Sequence, residues 1–410
     1  MFAVGYLLTI LISLAIFLCV RSSLSVKVFI VAMLFMVFSF LIIPKLDSKV
    51  DALQYFSSLD AIRTARINHG LTEAWRVINT NPTDTSNSIN SVMSFSATPV
   101  MALVMLGMSY FPDIVLLSVV CFIDYFFALK IIQLVVDKNK LSISYYCFGF
   151  IIFCCIFAYS IAVSGIRNNM VGTVFAYFAL KYLENERVFF SWSTISLLLI
   201  IILLSLVHPY TLLLGLLLLL VIIFWRYKTI LRIIDGLMLL QSFFQRAIIM
   251  LLIPLAGIPF FSSIILKSNQ YLGKNATILI SSTANLFRDI GRLLIFGLLL
   301  IITLWVKQQF IDRRYIEFII IFFCFACGAF FDQLLFERCM LVSLPIILPL
   351  IIVLPAEFSS ELRSNESISL KTVAIYIMMI ILCLYAGFCL VDNLRAGTSY
   401  YELFTFVGKY

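Results

Sequence analysis

The chain has 410 residues, of which 63% are hydrophobic and only 12% charged, with a mean hydropathy of +1.09. Soluble domains are about a quarter charged and less than half apolar, and single cores stop growing near roughly 250–300 residues, so lipid has to solvate most of this chain. The formal charge of +8 lies mainly in short gaps between apolar runs, where membrane topology accounts for it; a nucleic-acid surface is excluded.

A helical span takes about 20 apolar residues. Such runs recur at 2–20, 26–43, 113–136, 141–163, 170–183, 193–207, 210–225, 247–266, 290–306, 315–331, 340–354 and 372–391. The pattern predicts an all-α, polytopic integral membrane protein with about 12 transmembrane helices, forming one membrane domain over 1–410. The first run lacks a basic leader and a small-residue cleavage site, so it is expected to be retained.

One long polar stretch follows the second run. Residues 50–67 read as an amphipathic helix, with His69 near its C-terminus, and 79–96 as an Asn, Ser and Thr-rich loop. The apolar segment 99–111 is too short to cross and reads as interfacial or re-entrant. The whole of 44–112 is therefore expected to be an external loop carrying juxtamembrane helices.

With 99–111 held out of the count, the later loops sort by charge. Lys130, Lys138, Lys140, Arg226, Lys228, Arg232, Arg313, Arg314 and Lys371 fall on one side. A smaller set, among them Arg167, Lys267, Lys274, Arg288, Arg292, Arg338 and Arg395, falls on the other. The positive-inside rule makes the first side cytoplasmic and the second external. Letting 99–111 cross would reverse this bias.

The ten cysteines lie almost entirely inside apolar runs, where a thiol behaves as a small hydrophobe. Cys324 and Cys327 form a C-x-x-C, but on a lipid-facing helical stretch without the polar loops that a zinc or redox site needs. No metal and no cofactor is expected.

The external side gathers the candidate chemistry. Arg167, followed by Asn168, is either an anion clamp, because its fork can donate to two phosphate oxygens, or an anchor snorkelling to head groups. His208 precedes Pro209 at a turn that interrupts one long apolar stretch, and is either a packing residue or a functional one. Arg288 and Arg292, at i and i+4, share a helix face that suits a diphosphate or anchors the interface. Glu337 and Arg338 close a hairpin, either as a local ion pair or as a base and a phosphate ligand. Asp47, Asp51 and Tyr55 follow the second membrane exit, where carboxylates can hold a sugar hydroxyl or activate it. Asp124, mid-span, is expected to pair with a basic or polar group inside the bundle.

This layout resembles the EpsG family and related Wzy-type O-antigen and capsular polysaccharide polymerases. The likeness rests on two N-terminal helices, Asp51-x-x-x-Tyr55, the short helix at 99–111, Gly165-Ile166-Arg167-Asn168, His208 at a turn, and the Arg338 hairpin. At the positions of that family's Arg-Gly-Thr-Asp and Arg-Gln motifs this chain reads Lys45 to Asp51 and Arg167-Asn168. The plan is also similar to the GT-C superfamily of lipid-linked glycosyltransferases.

The resemblance implies a glycosyltransferase at the outer, periplasmic face of the bacterial cytoplasmic membrane. It would transfer a growing glycan from undecaprenyl diphosphate to a lipid-linked repeat unit in lipopolysaccharide, capsule or exopolysaccharide biosynthesis. Its implied partners are undecaprenyl-diphosphate-linked oligosaccharide and membrane lipids, and it admits a chain-length regulator. Arg167, Asn168, Arg288, Arg292, Arg338, Asp47 and Tyr55 would bind substrate. His208, whose ordinary pKa of about 6.5 needs little tuning, ranks ahead of Asp51 and Glu337 as the base. Two rivals stand beside this reading: a GT-C-type enzyme using an undecaprenyl-phosphate sugar, and a lipid-linked oligosaccharide transporter.

The charge sorting makes a direct prediction. In a background without native cysteines, Lys274→Cys should react with an impermeant thiol reagent in intact cells and Lys228→Cys should not. Labelling at Lys228→Cys alone would invert the topology.

Overall fold

The computed structural model describes residues 2–44, 52–79, 95–96, 98–157, 159, 162, 165–185, 191–241, 254, 283–306, 309–331, 333–364, 369–395 and 404–406. Within them the chain is a helical membrane protein. Its α-helices are α1 (Phe2–Cys19), α2 (Leu24–Phe40), α3 (Ala52–His69), α4 (Leu71–Asn79), α5 (Pro99–Met108), α6 (Ile114–Lys138), α7 (Ile143–Ile156), α8 (Ile166–Asn185), α9 (Trp192–Ser205), α10 (Tyr210–Phe224), α11 (Lys228–Leu239), α12 (Thr283–Val306), α13 (Arg313–Gly328), α14 (Gln333–Ser364) and α15 (Leu370–Arg395). Five of them, α1, α6, α12, α14 and α15, contain stretches long and apolar enough to cross a bilayer, and α2, α5, α7, α9 and α10 are shorter apolar helices.

Lipid solvation is visible on the surface. Val4 and Leu384 are each 70% exposed and Phe388 64%, positions at which water would be the wrong solvent. The polar backbone is satisfied inside each helix, as a hydrocarbon medium demands. One short antiparallel pair, β1 (Ile42–Pro44) with β2 (Phe404–Phe406), puts Ile42 opposite Phe406 and Pro44 opposite Phe404. It ties the segment after α15 to the exit of α2.

Specific contacts sort the helix ends onto two faces. On one, Lys138 at the end of α6 pairs with Glu184 at the end of α8, and Arg314 at the start of α13 pairs with Asp312 (3.0 Å) and donates to the Leu183 carbonyl. Ser25 near the start of α2 meets Gln133 near the end of α6 at 2.9 Å. On the opposite face, Phe2 and Phe38 meet Tyr159, and Asn393 near the end of α15 donates to the Cys155 carbonyl near the end of α7 (2.9 Å). The helices α3, α4 and α5 also belong to this second face. There Arg63 of α3 bonds the Phe111 carbonyl (3.0 Å) and Asp113 (2.5 Å) at the corner between α5 and α6. The Val100 amide of α5 reaches the Leu206 carbonyl at the end of α9 (3.3 Å).

The sequence expectations hold for most elements and need correction at several. The helix expected at 50–67 is α3, and His69 is its last residue. The run at 141–163 closes early, with α7 ending at Ile156 and Phe157 extended. The helix expected at 170–183 starts earlier, so Arg167 stands in the first turn of α8 rather than in a loop. The run at 340–354 becomes the 32-residue α14. The expected span at 247–266 and the greater part of the loop at 79–96 lie outside the described residues.

A larger correction concerns 226–246, expected as a basic loop. Lys228–Leu239 is a helix running beside α13 in the same direction: Arg232 pairs with Glu317 near the start of α13, and Gln241 donates to the Phe325 carbonyl near its end (3.0 Å). Arg232 also pairs with Asp235 at 2.6 Å, so the charges that looked like a loop neutralise one another along a helix, with both carboxylates buried and the guanidinium half exposed.

Close approach of these two helices depends on Gly328. A Cβ there would lie 2.1 Å from the Met238 carbonyl oxygen, whereas a Cβ at Gly387 would meet nothing within 4 Å. Small residues at such crossings let backbones approach in lipid. Gly328→Val should therefore lower stability by roughly 1–3 kcal/mol or more, the cost of overpacking, read as SDS-titrated unfolding of the purified protein. Gly387→Ala should leave it within about 0.5 kcal/mol, as for substitutions at unconstrained surface sites; equal losses would remove the close-packing argument.

Candidate active site

The first turns of α14 form the hub of the candidate site, on the same face as α3, α4 and α5. Three neighbouring helices bring polar groups to them. From α12, Arg292, only 3% exposed, donates Nη1 to the Met340 carbonyl at 2.9 Å. Asp289, one turn away and also buried, lies among Arg292, Arg288 and Glu337, with Arg288 Nε 3.9 Å from its carboxylate. Tyr385 of α15 stands beside the Arg292 guanidinium. Burying an arginine in a membrane protein is costly unless it is paired or functional, and here it is held by a carbonyl and a nearby carboxylate.

From α10, Tyr210 donates its hydroxyl to Cys339 Sγ at 3.3 Å and lies near Arg338. His208 precedes it, 5% exposed, and accepts the Tyr210 amide on Nδ1 at 3.2 Å. That bond has a chemical consequence. A neutral imidazole whose Nδ1 accepts carries its proton on Nε2, so Nε2 is a donor rather than a base. Protonating His208 fully would cost the Tyr210 bond. With Nδ1 engaged in this way, Nε2 is the His208 atom left to meet a substrate.

Arg167 and Asn168 come from α8. Gly172 of that helix packs against Val342 of α14 so closely that a Cβ would fall 2.6 Å from Val342 Cγ1. Residues four apart share a helix face, so Asn168 and Arg338, one turn up on each helix, share the interface. Asn168 Oδ1 and Glu337 Oε1 are both buried and, among the described residues, have no hydrogen-bond partner. Buried polar atoms are nearly always bonded, so both acceptors have capacity for a further donor.

Arg167 extends toward the juxtamembrane layer. Its Nε donates to the Tyr55 hydroxyl at 2.8 Å. Its guanidinium lies 5.9 Å from the Tyr55 ring centroid and 5.7 Å from that of Phe95. Tyr55 sits on α3 because Ala52, Tyr55, Leu59 and Ile62 make one buried stripe. The two residues, 112 positions apart, are thus joined as substrate-site candidates. Asp47 and Asp51 lie outside the described residues.

Asp124 is fully buried in α6 and accepts from Thr173 of α8 at 3.1 Å, the polar pairing expected of it. It belongs to the bundle core below the site. Sequence reasoning missed Phe95, Asp289, Tyr385 and the Met340 carbonyl. Asp289 was within reach, flanked by Arg288 and lying three residues from Arg292; the others have no local signal.

No family model, curated protein or solved structure matches this chain. Its function has to be argued from the site alone.

The burial contrast between the arginines predicts unequal structural roles. Arg292→Leu removes a buried guanidinium from the Met340 carbonyl and leaves buried Asp289 with only Arg288 at 3.9 Å, so it should cost on the order of 3–5 kcal/mol in SDS-titrated unfolding. Arg167→Gln loses one bond from a half-buried guanidinium to the Tyr55 hydroxyl and should cost less than about 1.5 kcal/mol. Comparable losses would show that Arg167 is as structural as Arg292.

Proposed function

We propose that this chain is a glycosyltransferase that polymerises lipid-linked oligosaccharide repeat units. The observation that carries the reading is that Arg167, Asn168, His208, Arg288, Arg292, Glu337 and Arg338 lie at one end of the bundle, where Arg292 and Tyr210 contact the first turns of α14. They lie on the face that carries α3, α4 and α5. Four guanidinium groups at one membrane surface suit a diphosphate with a hydrophobic tail better than a soluble substrate.

In this reading the bond between the anomeric carbon and the diphosphate oxygen breaks, and undecaprenyl diphosphate leaves with the electron pair. Arginines already in place stabilise the charge that builds on it. A hydroxyl of the acceptor repeat unit forms the new bond and loses its proton to a carboxylate. Glu337, with its unbonded Oε1, is the described residue best placed to take that proton, and His208 Nε2 donates a hydrogen bond. Asn168 Oδ1 accepts from a sugar hydroxyl, and Tyr55 orients Arg167. Catalysis faces the periplasm of the bacterial cytoplasmic membrane, an orientation that rests on the basic loops.

Deleting the gene should remove the surface-polysaccharide ladder beyond one repeat unit. A full-length ladder with altered mobility would instead indicate a decorating enzyme that uses a monophosphate-linked sugar. Accumulated lipid-linked units confined to the cytoplasmic leaflet would indicate a transporter. With purified protein and lipid-linked repeat unit, Glu337→Gln and Arg167→Lys should each cut chain extension at least 100-fold at normal expression. His208→Gln, which keeps a donor, should retain at least a tenth. Inactivity of His208→Gln with near-normal Glu337→Gln would restore the histidine as the base.

A further inference from the structure

The face opposite the candidate site carries a second concentration of positive charge that the proposed reaction does not use. A cavity of about 430 Å³ is lined by Trp225, Arg226, Lys228, Arg313, Arg314 and Glu317. It lies where α10 ends and where α11 and α13 both begin. Four cations and one carboxylate face it. Glu317 is engaged by Arg232 and by Arg313 at 3.8 Å, and Arg314 by Asp312. Arg226 lies over the Trp225 ring at 5.4 Å, and Arg314 approaches the same ring from 5.8 Å. The start of α11 has no side-chain cap, so its free amides add partial positive charge to the mouth of the cavity.

A second observation concerns what lies beside the cavity. On α11, Ile230, Ile233 and Leu237 are 38%, 59% and 51% exposed, at the spacing of one helix face. The other face of the helix packs Leu231 and Asp235 inward. An apolar groove edge therefore leads away from a cationic pocket, with Trp225, itself partly exposed, at the junction.

We propose that this cavity binds the phosphate head group of an anionic membrane phospholipid, with an acyl chain laid along the Ile230–Ile233–Leu237 face of α11. The cations accept the phosphate charge, Trp225 marks the interfacial level where such rings settle, and the apolar stripe distinguishes a lipid from free phosphate. Basic pockets between transmembrane helices are a recognised form of anionic head-group site. This assignment stands on residues separate from the candidate active site and survives if that reading fails.

The test is native mass spectrometry of the delipidated full-length protein in detergent with added phosphatidylglycerol. Wild type should retain one lipid adduct, and Arg226→Gln/Lys228→Gln, which changes only exposed side chains, should retain at least five-fold less. Phosphatidylcholine should give at least five-fold less adduct than phosphatidylglycerol, and millimolar inorganic phosphate should not displace the bound lipid. Undiminished binding by the double variant, equal retention of phosphatidylcholine, or displacement by inorganic phosphate would each overturn the proposal. A melting curve of the double variant matching wild type separates loss of lipid from loss of fold.

Discussion

The structure depends on one helix that has almost no contact with lipid. Within α14, 89% of the most apolar window is buried inside the bundle, although its sequence is as hydrophobic as any lipid-facing span. Three prolines, Pro345, Pro349 and Pro355, interrupt it, and each removes a donor from the backbone ladder. In hydrocarbon such a helix survives only if neighbours supply the missing interactions. The carbonyls that lose their backbone donors are those of Leu341, Pro345 and Ile351, and neighbours hold the helix close by: Tyr315 of α13 donates to the Ile346 carbonyl at 2.8 Å and Arg292 of α12 to the Met340 carbonyl at 2.9 Å. A proline-rich helix thus requires a surrounding shell, and that shell of α6, α7, α8, α12, α13 and α15 is the fold.

This arrangement also explains why the polar groups meet where they do. Six helices packed about one axis can place side chains on it from all sides only at its ends, since the middle is filled by Tyr315, Phe318, Ile346 and Ile347. At one end Arg292, Tyr210 and Asn168 reach α14 from three directions. Helices α3 to α5 add a layer above, with Tyr55 and Phe95 closing over Arg167. Helices hold Tyr55, Arg167, Asn168, Tyr210, Arg292 and Glu337, whereas His208 stands in the turn before α10 and Phe95 in the segment before α5.

How much of this was legible follows from the solvent. Lipid demands long apolar runs, so α1, α2, α6, α9, α10, α13 and α15 could be read within a few residues, and α12 at its end but not at its start, which lies at Thr283 rather than 290. Charge sorting likewise separated Lys138 and Arg314 from Arg167 and Arg292, and the contacts place these pairs at opposite ends. Polar residues at a helix start misled the reading at Ile166 to Asn169: the first turn leaves amides unpaired, so it attracts the residues that mark loops. Helix α11 was misread for a related reason, because Arg232 and Asp235 look solvated until Glu317, 85 residues away, is brought beside them. Tyr385 and the Met340 carbonyl were beyond any local pattern, since both act through packing between distant spans.

Both ends of the bundle carry ion pairs, Arg63 with Asp113 and Arg288 with Asp289 among them on the site face, but Arg167 and Arg292 are held in another way. At one end cations meet carboxylates: Lys138 with Glu184, Arg314 with Asp312, Arg232 with Glu317. At the other, Arg167 has, among the described residues, a neutral hydroxyl and two aromatic rings for company, and Arg292 a neutral carbonyl, a tyrosine and Asp289. A guanidinium held by neutral acceptors keeps its charge available, because a carbonyl or hydroxyl orients the fork without cancelling its field. The cost of holding it near hydrocarbon persists until an anion arrives. In the proposed reaction, guanidinium groups held in this way would offer a negatively charged leaving group stabilisation that is already positioned, with the long Arg288–Asp289 contact (3.9 Å) as the competing ion pair.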